Sequence, residues 1–265
     1  MESTVPPAPT PVPSQEFHAV PANGSPEVAV APIGPRTPTL LERGSVMAFF
    51  AACAGLCWTI WRQTEGFGWL WVLLLATLGF VLADLVSGLV HWGFDTWGRR
   101  DTPILGPTFI VPFRVHHDDP MDITRHGFAA TNGHNCFVSL LVLVPALLLP
   151  STWAITPLVQ ALILSLSLGV LATNQFHKWS HTEQVSPLVA RLQAWHVVLG
   201  REHHQVHHTF PYHRHYCITT GWLNRPLDAM GFFRKLEWLI ERVTGVAPRT
   251  DDLGHTPPKA DPSAT

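Results

Sequence analysis

Residues 201–210 read REHHQVHHTF, with four histidines in six positions. They belong to a larger set. His91 and Asp95 lie four apart in VHWGFDTWG, His116 and His117 are adjacent in FRVHHDDP, and His177 and His181 lie four apart in NQFHKWSH. Within REHHQVHH the pairs His203/His207 and His204/His208 repeat that spacing. Residues four apart on a helix share a face, so each pair can turn two side chains toward one point. Neutral imidazole is the commonest protein metal ligand. Nine imidazoles and a carboxylate exceed what a single tetrahedral zinc takes; they suit two ions with four or five ligands each. Imidazole serves iron, zinc, copper and nickel alike, so ligand type does not choose the metal. The zinc-protease pattern HExxH is absent, because Glu202 precedes His203. A pair of redox-active irons fits the activation of O2 against an unreactive C–H bond, which acid–base chemistry does not reach. Any one HxxxH pair has an ordinary alternative as a surface or core feature. The metal reading rests on all four groups meeting.

The elements that must bring them together are apolar. Hydrophobic residues make up 46% of the 265 and charged residues 14%, against about 25% charged in soluble proteins. Four apolar stretches stand out: 45–61, 67–90, 136–150 and 153–174. A spanning helix needs about 20 apolar residues. The second and fourth meet that length. The first is marginal, and the third is short and holds Pro145, which leaves a re-entrant or tilted segment open. With the N-terminus inside, Arg62 alone of the 17 Lys and Arg falls in an outer loop, as the positive-inside bias requires. All four histidine groups then fall on the cytosolic side, and none in an outer loop. The expected fold class is all-α: a multi-pass membrane helical bundle of about four spans with a cytosolic histidine-rich di-metal cap. The expected site is a bacterial inner membrane or the endoplasmic reticulum.

Residues 1–40 hold ten prolines and read as a disordered tail; 247–265 read as a loose C-terminal tail, leaving 45–246 as one membrane domain. The four cysteines form no CxxC pair and give no disulfide framework. A net charge of −2 implies no general attraction to nucleic acid. Two polar residues lie inside spans. Asp84 is seven before His91 on the same helical face, and an ionisable group in a span is a functional candidate, with a structural hydrogen-bond partner as the equal alternative. Asn174, three before His177, is read as a helix-contact or water-mediated partner ahead of a direct ligand. His126, His134, His196, His213 and His215 are read as supporting, phosphate-facing or structural.

The strings ADLVSGLVHWGFDTWG, GPTFIVPFRVHHDDP, ITRHGFAATNGHNC, TNQFHKWSHT, WHVVLGREHHQVHH and CITTGWLNRPL resemble the plasmanylethanolamine desaturases, over about 80–245. The resemblance implies a membrane enzyme that desaturates the alkyl ether chain of a plasmanyl phospholipid between carbons 1 and 2, giving a plasmalogen. It implies two iron ions, O2 as co-substrate and an ether phospholipid substrate. The family's ligands fall on His91, His116, His117, His177, His181, His203, His204, His207 and His208, with the acidic position at Asp95; His126 and His196 match as well, as supporting residues. His213 and His215, in PYHRHYC, depart from the family's ligand set. The chain carries no GxGxxG loop, ferredoxin-like cysteine set or appended haem domain, so electrons are expected from a separate protein of cytochrome b5 or ferredoxin type. An acyl-lipid desaturase or a hydroxylase would use the same residues on another lipid. A haem-binding membrane electron carrier is the alternative of a different class.

Overall fold

The computed structural model describes residues 35–209 and 212–249. Most of both expected tails, 1–34 and 250–265, lies outside these. Among the described residues there is no strand. The helices are α1 (Leu40–Gln63), α2 (Gly68–Thr96), α3 (Val111–Asp118), α4 (Phe128–Leu147), α5 (Thr156–His181), α6 (Pro187–Ala194), α7 (Arg201–Gln205), α8 (Asn224–Ala229) and α9 (Phe232–Thr244). A π-helical turn, Gly106–Ile110, leads into α3, and a 3-10 turn, Asp122–Arg125, precedes α4.

Helices α1, α2, α4 and α5 run for 24, 29, 20 and 26 residues and are long and apolar enough to cross a membrane. At about 1.5 Å per residue, even the shortest covers about 30 Å of hydrocarbon. Leu73, Leu78 and Leu141 project outward from them, as lipid-facing residues do. The third apolar stretch is thus the end of a longer helix. Its polar N-terminal half is folded because α5 supplies partners: Asn174 Nδ2 donates to the Thr131 carbonyl at 2.8 Å, and Asn135 Nδ2 to the Val170 carbonyl at 2.8 Å. Pro145 falls in the last turn, where Gln160 donates through Nε2 to the Ala146 carbonyl at 3.0 Å and accepts through Oε1 from Thr59 Oγ1 at 2.9 Å.

Helix α1 begins ahead of its apolar run because Thr39 and Glu42 form a reciprocal cap: Thr39 Oγ1 accepts from the Glu42 amide at 3.2 Å, and Glu42 Oε2 from the Thr39 amide at 2.8 Å. Phe49, Leu56, Cys136 and Leu143 form the core between α1 and α4. Helix α2 packs on α5, and small residues set their spacing. A Cβ at Gly79 would strike the Leu162 carbonyl, and one at Gly169 would strike the Ala83 methyl. In lipid, such close backbone approach supplies the packing that the hydrophobic effect supplies in water.

After α5 the chain caps one end of the bundle and then turns back along α2. Residues 218–223 are irregular, yet they lie beside Ala83, Asp84 and Ser87 of α2. Backbone N–H groups at that depth need internal partners. Asp84, fully buried, supplies most of them: Oδ1 accepts from Thr220 and Gly221 at 2.8 and 3.0 Å, and Oδ2 from Leu223 at 3.1 Å. Ser87 Oγ takes the Ile218 amide at 3.0 Å. Trp92, Tyr216, Leu227 and Phe233 form a second core, which holds α8 and α9 against α2.

Candidate metal centre

The parallel helices α2 and α5 both end in an i,i+4 pair, His91/Asp95 and His177/His181, and the ends lie side by side: the His91 and His177 rings are 6.2 Å apart. Helix α3 is clamped across the end of α2 by Arg114, a buried residue whose guanidinium donates to the Gly98 carbonyl at 2.6 Å. That clamp delivers His116 and His117. Helix α7 and the turn after it deliver the rest.

These residues sort into two groups, each with its ligand atoms within 4.8 Å of one another. One is His116, His177, His181, His204 and His208; the other is His91, Asp95, His117 and His207. Three of the four i,i+4 pairs, His91/Asp95, His177/His181 and His204/His208, stay together as one helical face requires, whereas His203/His207 does not. The adjacent pairs divide: successive residues on a helix point about 100° apart, so His116 and His208 join the first group while His117 and His207 join the second.

In the first group the Nε2 atoms converge. His177–His204 is 2.9 Å, His204–His208 3.0 Å, His116–His208 3.1 Å and His177–His181 3.3 Å. Nitrogens bound about 2.1 Å from one ion stand about 3.0–3.4 Å apart. Hydrogen bonding alone does not account for the cluster, because one imidazole nitrogen either donates or accepts, and several here have two neighbours. In the second group, Asp95 Oδ2 lies 3.1 Å from His117 Nε2, 3.3 Å from His91 Nε2 and 3.6 Å from His207 Nε2. His91 faces the Tyr216 carbonyl through Nδ1 at 3.1 Å, and His207 the Arg214 carbonyl through Nδ1 at 2.9 Å. A carbonyl only accepts, so both Nδ1 atoms carry the proton and both Nε2 atoms turn lone pairs toward a carboxylate. Those Nε2 atoms and Asp95 Oδ1 are buried without hydrogen bonds. Acceptors aimed at one another in a buried site call for a cation between them, so the residues fit a metal in each group.

Burial holds the rings of His116, His204 and His207 well below the ordinary histidine value, and neighbouring imidazoles add to the effect. It pushes His208 down to about 2. These rings are therefore neutral, the form that ligates metal. Imidazoles on a haem approach its two faces with the macrocycle between them. Nitrogens 2.9–3.3 Å apart leave no room for such a plane.

His203 stands outside both groups. Its ring stacks on His215 at 4.4 Å, and its Nε2 accepts from Asn224 Nδ2 at 3.0 Å. A Cβ at Gly221, whose φ is +76°, would press on that same ring. Asn224 also bonds the Cys217 amide and carbonyl at 2.8 and 2.9 Å. His203 thus locks the start of α7 onto the loop that Asp84 holds. Burial pushes its pKa down to about 4, with His215 and Arg225 adding to the effect. The four candidate supporting residues also touch neither group directly. Asp84 acts on the 220–223 backbone and Asn174 on α4. His126 contacts Asp122 at 3.1 Å and takes Lys178 on its carbonyl. His196 is exposed, and its carbonyl accepts the Trp222 indole.

The residues that the sequence did not disclose act through their backbones or over long range: Arg214 and Tyr216 through carbonyls, Asn224 across the loop. Tyr212 and His215 flank this segment in left-handed conformations, φ 61° and 59°. Each costs about 1–2 kcal/mol. In return the turn aims Arg214's carbonyl at His207, and His215 Nδ1 donates to the His203 carbonyl at 3.1 Å. Arg249, in the stretch read as a loose tail, bonds the Asp95 carbonyl through its side chain and the Thr96 carbonyl through its amide. The folded unit therefore continues past residue 246.

Comparison with known proteins agrees with this geometry. Residues 80–251 match the lipid desaturase domain, which includes every residue of both groups. The chain is 44% identical over 214 residues to plasmanylethanolamine desaturase of Myxococcus xanthus, covering 81% of this chain and 76% of that protein. It is 50% identical over 188 residues to plasmanylethanolamine desaturase 1 of Mus musculus, covering 69% of each. To the chloroplastic fatty acid desaturase 4 of Arabidopsis thaliana it is 35% identical over 175 residues, covering 65% of this chain and 52% of that protein. No solved structure matches. A helical membrane bundle that ends in two histidine-built, metal-suited groups and carries this domain belongs to the lipid desaturase family.

Proposed function

We propose that this protein desaturates plasmanyl phospholipids, removing a hydrogen from each of carbons 1 and 2 of the alkyl ether chain to leave the vinyl ether of a plasmalogen. The observation that carries the reading is the pair of adjacent buried donor groups whose lone pairs face inward. His116, His177, His181, His204 and His208 hold one iron; His91, Asp95, His117 and His207 hold the other. When bound, the two irons supply the O2 chemistry that breaks unactivated C–H bonds. The protein's own tasks are to keep these imidazoles neutral, to fix their tautomers through the Tyr216 and Arg214 carbonyls, and to seat the lipid at the rim of the bundle. The bond oxidised lies next to the glycerol, near the headgroup. Helix ends close to the interface suit that depth, whereas a mid-chain acyl carbon would require a long tunnel. Electrons come from a separate carrier of cytochrome b5 or ferredoxin type. The charge bias of the loops supports a site on the cytosolic side, in a bacterial inner membrane or the endoplasmic reticulum.

The test is expression in cells that are rich in alkyl ether phospholipids and make no plasmalogens. Acid-labile vinyl ethers should appear with the intact protein and vanish with His204→Ala or His117→Ala. A gain of acyl double bonds or of an alcohol, with no vinyl ether, would reject the substrate. A strong Soret band in purified protein without non-haem iron would reject the metal centre.

A further inference from the structure

Helix α9 carries two apolar faces and packs only one of them. At about 100° per residue, Phe233, Leu236 and Ile240 share a face, which lies in the second core with Leu85, Leu89 and Trp92 of α2. Leu239 and Val243 fall on a neighbouring strip that the core leaves uncovered, 48% and 74% exposed. Beyond the strip come Lys235 and Arg242, then Trp238, all exposed. Arg234 and Glu241 occupy the side opposite the strip and are exposed as well. The order around the helix is therefore core, apolar strip, cations with a tryptophan, and mixed charge. Lys235 and Arg242 make no ion pair among the described residues.

The depth of the helix follows from what it touches. A Cβ at Gly88 would come 3.3 Å from the Phe233 ring, the Trp92 and Phe233 rings are 5.6 Å apart, and Trp92 Nε1 donates to Glu237 Oε1 at 2.8 Å. Gly88 stands twenty residues beyond Gly68, where α2 begins, about 30 Å along the helix and so one hydrocarbon thickness away. Helix α9 meets α2 at that level and does not run alongside it. It crosses the end of the span, where hydrocarbon gives way to headgroups. An aliphatic strip bordered by Lys, Arg and Trp is the pattern of a helix lying in that interface. A protein approaching from the aqueous side would meet Arg234 and Glu241 first.

We propose that α9 lies in the plane of the leaflet that borders the metal centre and binds anionic phospholipid there, with Leu239 and Val243 among the acyl chains and Lys235 and Arg242 on headgroup phosphates. The lipid bound here is a surface partner chosen by charge, so the proposal does not depend on which lipid is oxidised. Lys235 and Arg242 are two helical turns apart, about 10 Å, and each can take a different headgroup. Their apolar stems cover the edge of the strip while the charged ends stay at phosphate level. A zwitterionic headgroup offers the same phosphate with an ammonium beside it; an anionic one leaves the attraction uncancelled. The same helix presses Phe233 on Tyr216, whose ring packs 4.9 Å from Phe233 and 5.2 Å from His207. The leaflet thereby supports one wall of the second metal group.

The test reads depth and lipid preference, not turnover. Full-length metal-loaded protein is placed in nanodiscs of phosphatidylcholine, alone or mixed with phosphatidylglycerol. Cys57 is the exposed cysteine among the four, so a Cys57→Ser background lets a fluorophore be attached at Leu239→Cys, Val243→Cys or Glu241→Cys. Lipid with brominated chains should quench the first two probes and spare the third. Native mass spectrometry of protein released from the mixed discs should show retained phosphatidylglycerol enriched over phosphatidylcholine. Lys235→Gln or Arg242→Gln should cut that enrichment by about threefold to fivefold, the worth of one cation at an anionic surface. Arg234→Gln, a cation lost from the opposite side of the same helix, should leave it unchanged. An unshifted Tm in each variant reports an intact fold. Equal quenching at 239, 243 and 241, or none at any of them, overturns the proposal, as does an equal effect of Arg234→Gln. Probes at 239 and 243 that are shielded from lipid in a species of doubled mass would assign the strip to a second copy instead. A weaker affinity for a reduced electron carrier in Lys235→Gln, with phosphatidylglycerol enrichment unchanged, would assign the cations to that carrier and overturn the proposal too.

Discussion

His203 and His204 are neighbours with different duties. The Nε2 of His204 touches those of His177 and His208, while that of His203 is taken by Asn224. Replacing His204 with alanine should therefore remove about one iron per chain and abolish activity. His203→Ala should keep the metal and loosen the 215–224 loop, lowering activity in part. Iron analysis of the two purified variants checks this; equal metal loss would put His203 back among the ligands. Asp84 acts at the same scale. Alanine there would strand three buried N–H groups and should cost about 3–5 kcal/mol, read as a drop of roughly 10 °C in Tm. Asp84→Asn keeps an acceptor and should lose less. The spacing of the histidines made the metal-suited residues legible, because imidazole pairs four apart on a helix share one face. It did not separate His203 from its neighbours. HHxxHH is symmetric as a string, and only the arrival of Asn224 from a distant turn distinguishes one of its members.

Among the elements, α2 and α5 decide the geometry, since each carries an i,i+4 pair into the site. Their spacing depends on the close passes at Gly79 and Gly169. Gly169→Leu would drive a side chain into Ala83 and Phe80, costing about 1–3 kcal/mol from overpacking. Because it also spreads the helix ends, activity should fall more steeply than melting temperature. Activity and Tm measured together test this, and loss in strict proportion would count against it. Apolar run length made the four long helices legible. The polar start of α4 was not, because Thr131 and Asn135 look like loop residues until Asn174 and the Val170 carbonyl are seen to receive them. The return of residues 218–223 along α2 was hidden for a similar reason. The string CITTGW carries no periodicity, and Asp84, a lone charge in a span, was its one visible trace.

For the whole molecule, metal and fold are linked. Ligand to the native state stabilises it by mass action, so removal of iron by a chelator should lower the unfolding temperature by several degrees, and ferrous iron should restore it. A melting curve indifferent to chelation would mean that the bundle holds the imidazoles in place unaided. The gross plan of the molecule was readable from polarity and histidine placement, because hydrocarbon tolerates so few architectures.

The division of His116 from His117, and of His207 from His208, has a consequence for loading. Each neighbouring pair is tied by one peptide bond yet serves opposite ions, so neither pocket can be strained open while its twin stays at rest. Filling the first should pre-set the second. Titration of metal-free enzyme with ferrous iron is then expected to run from empty to doubly filled with little singly filled protein between, a sigmoidal uptake in place of two independent steps.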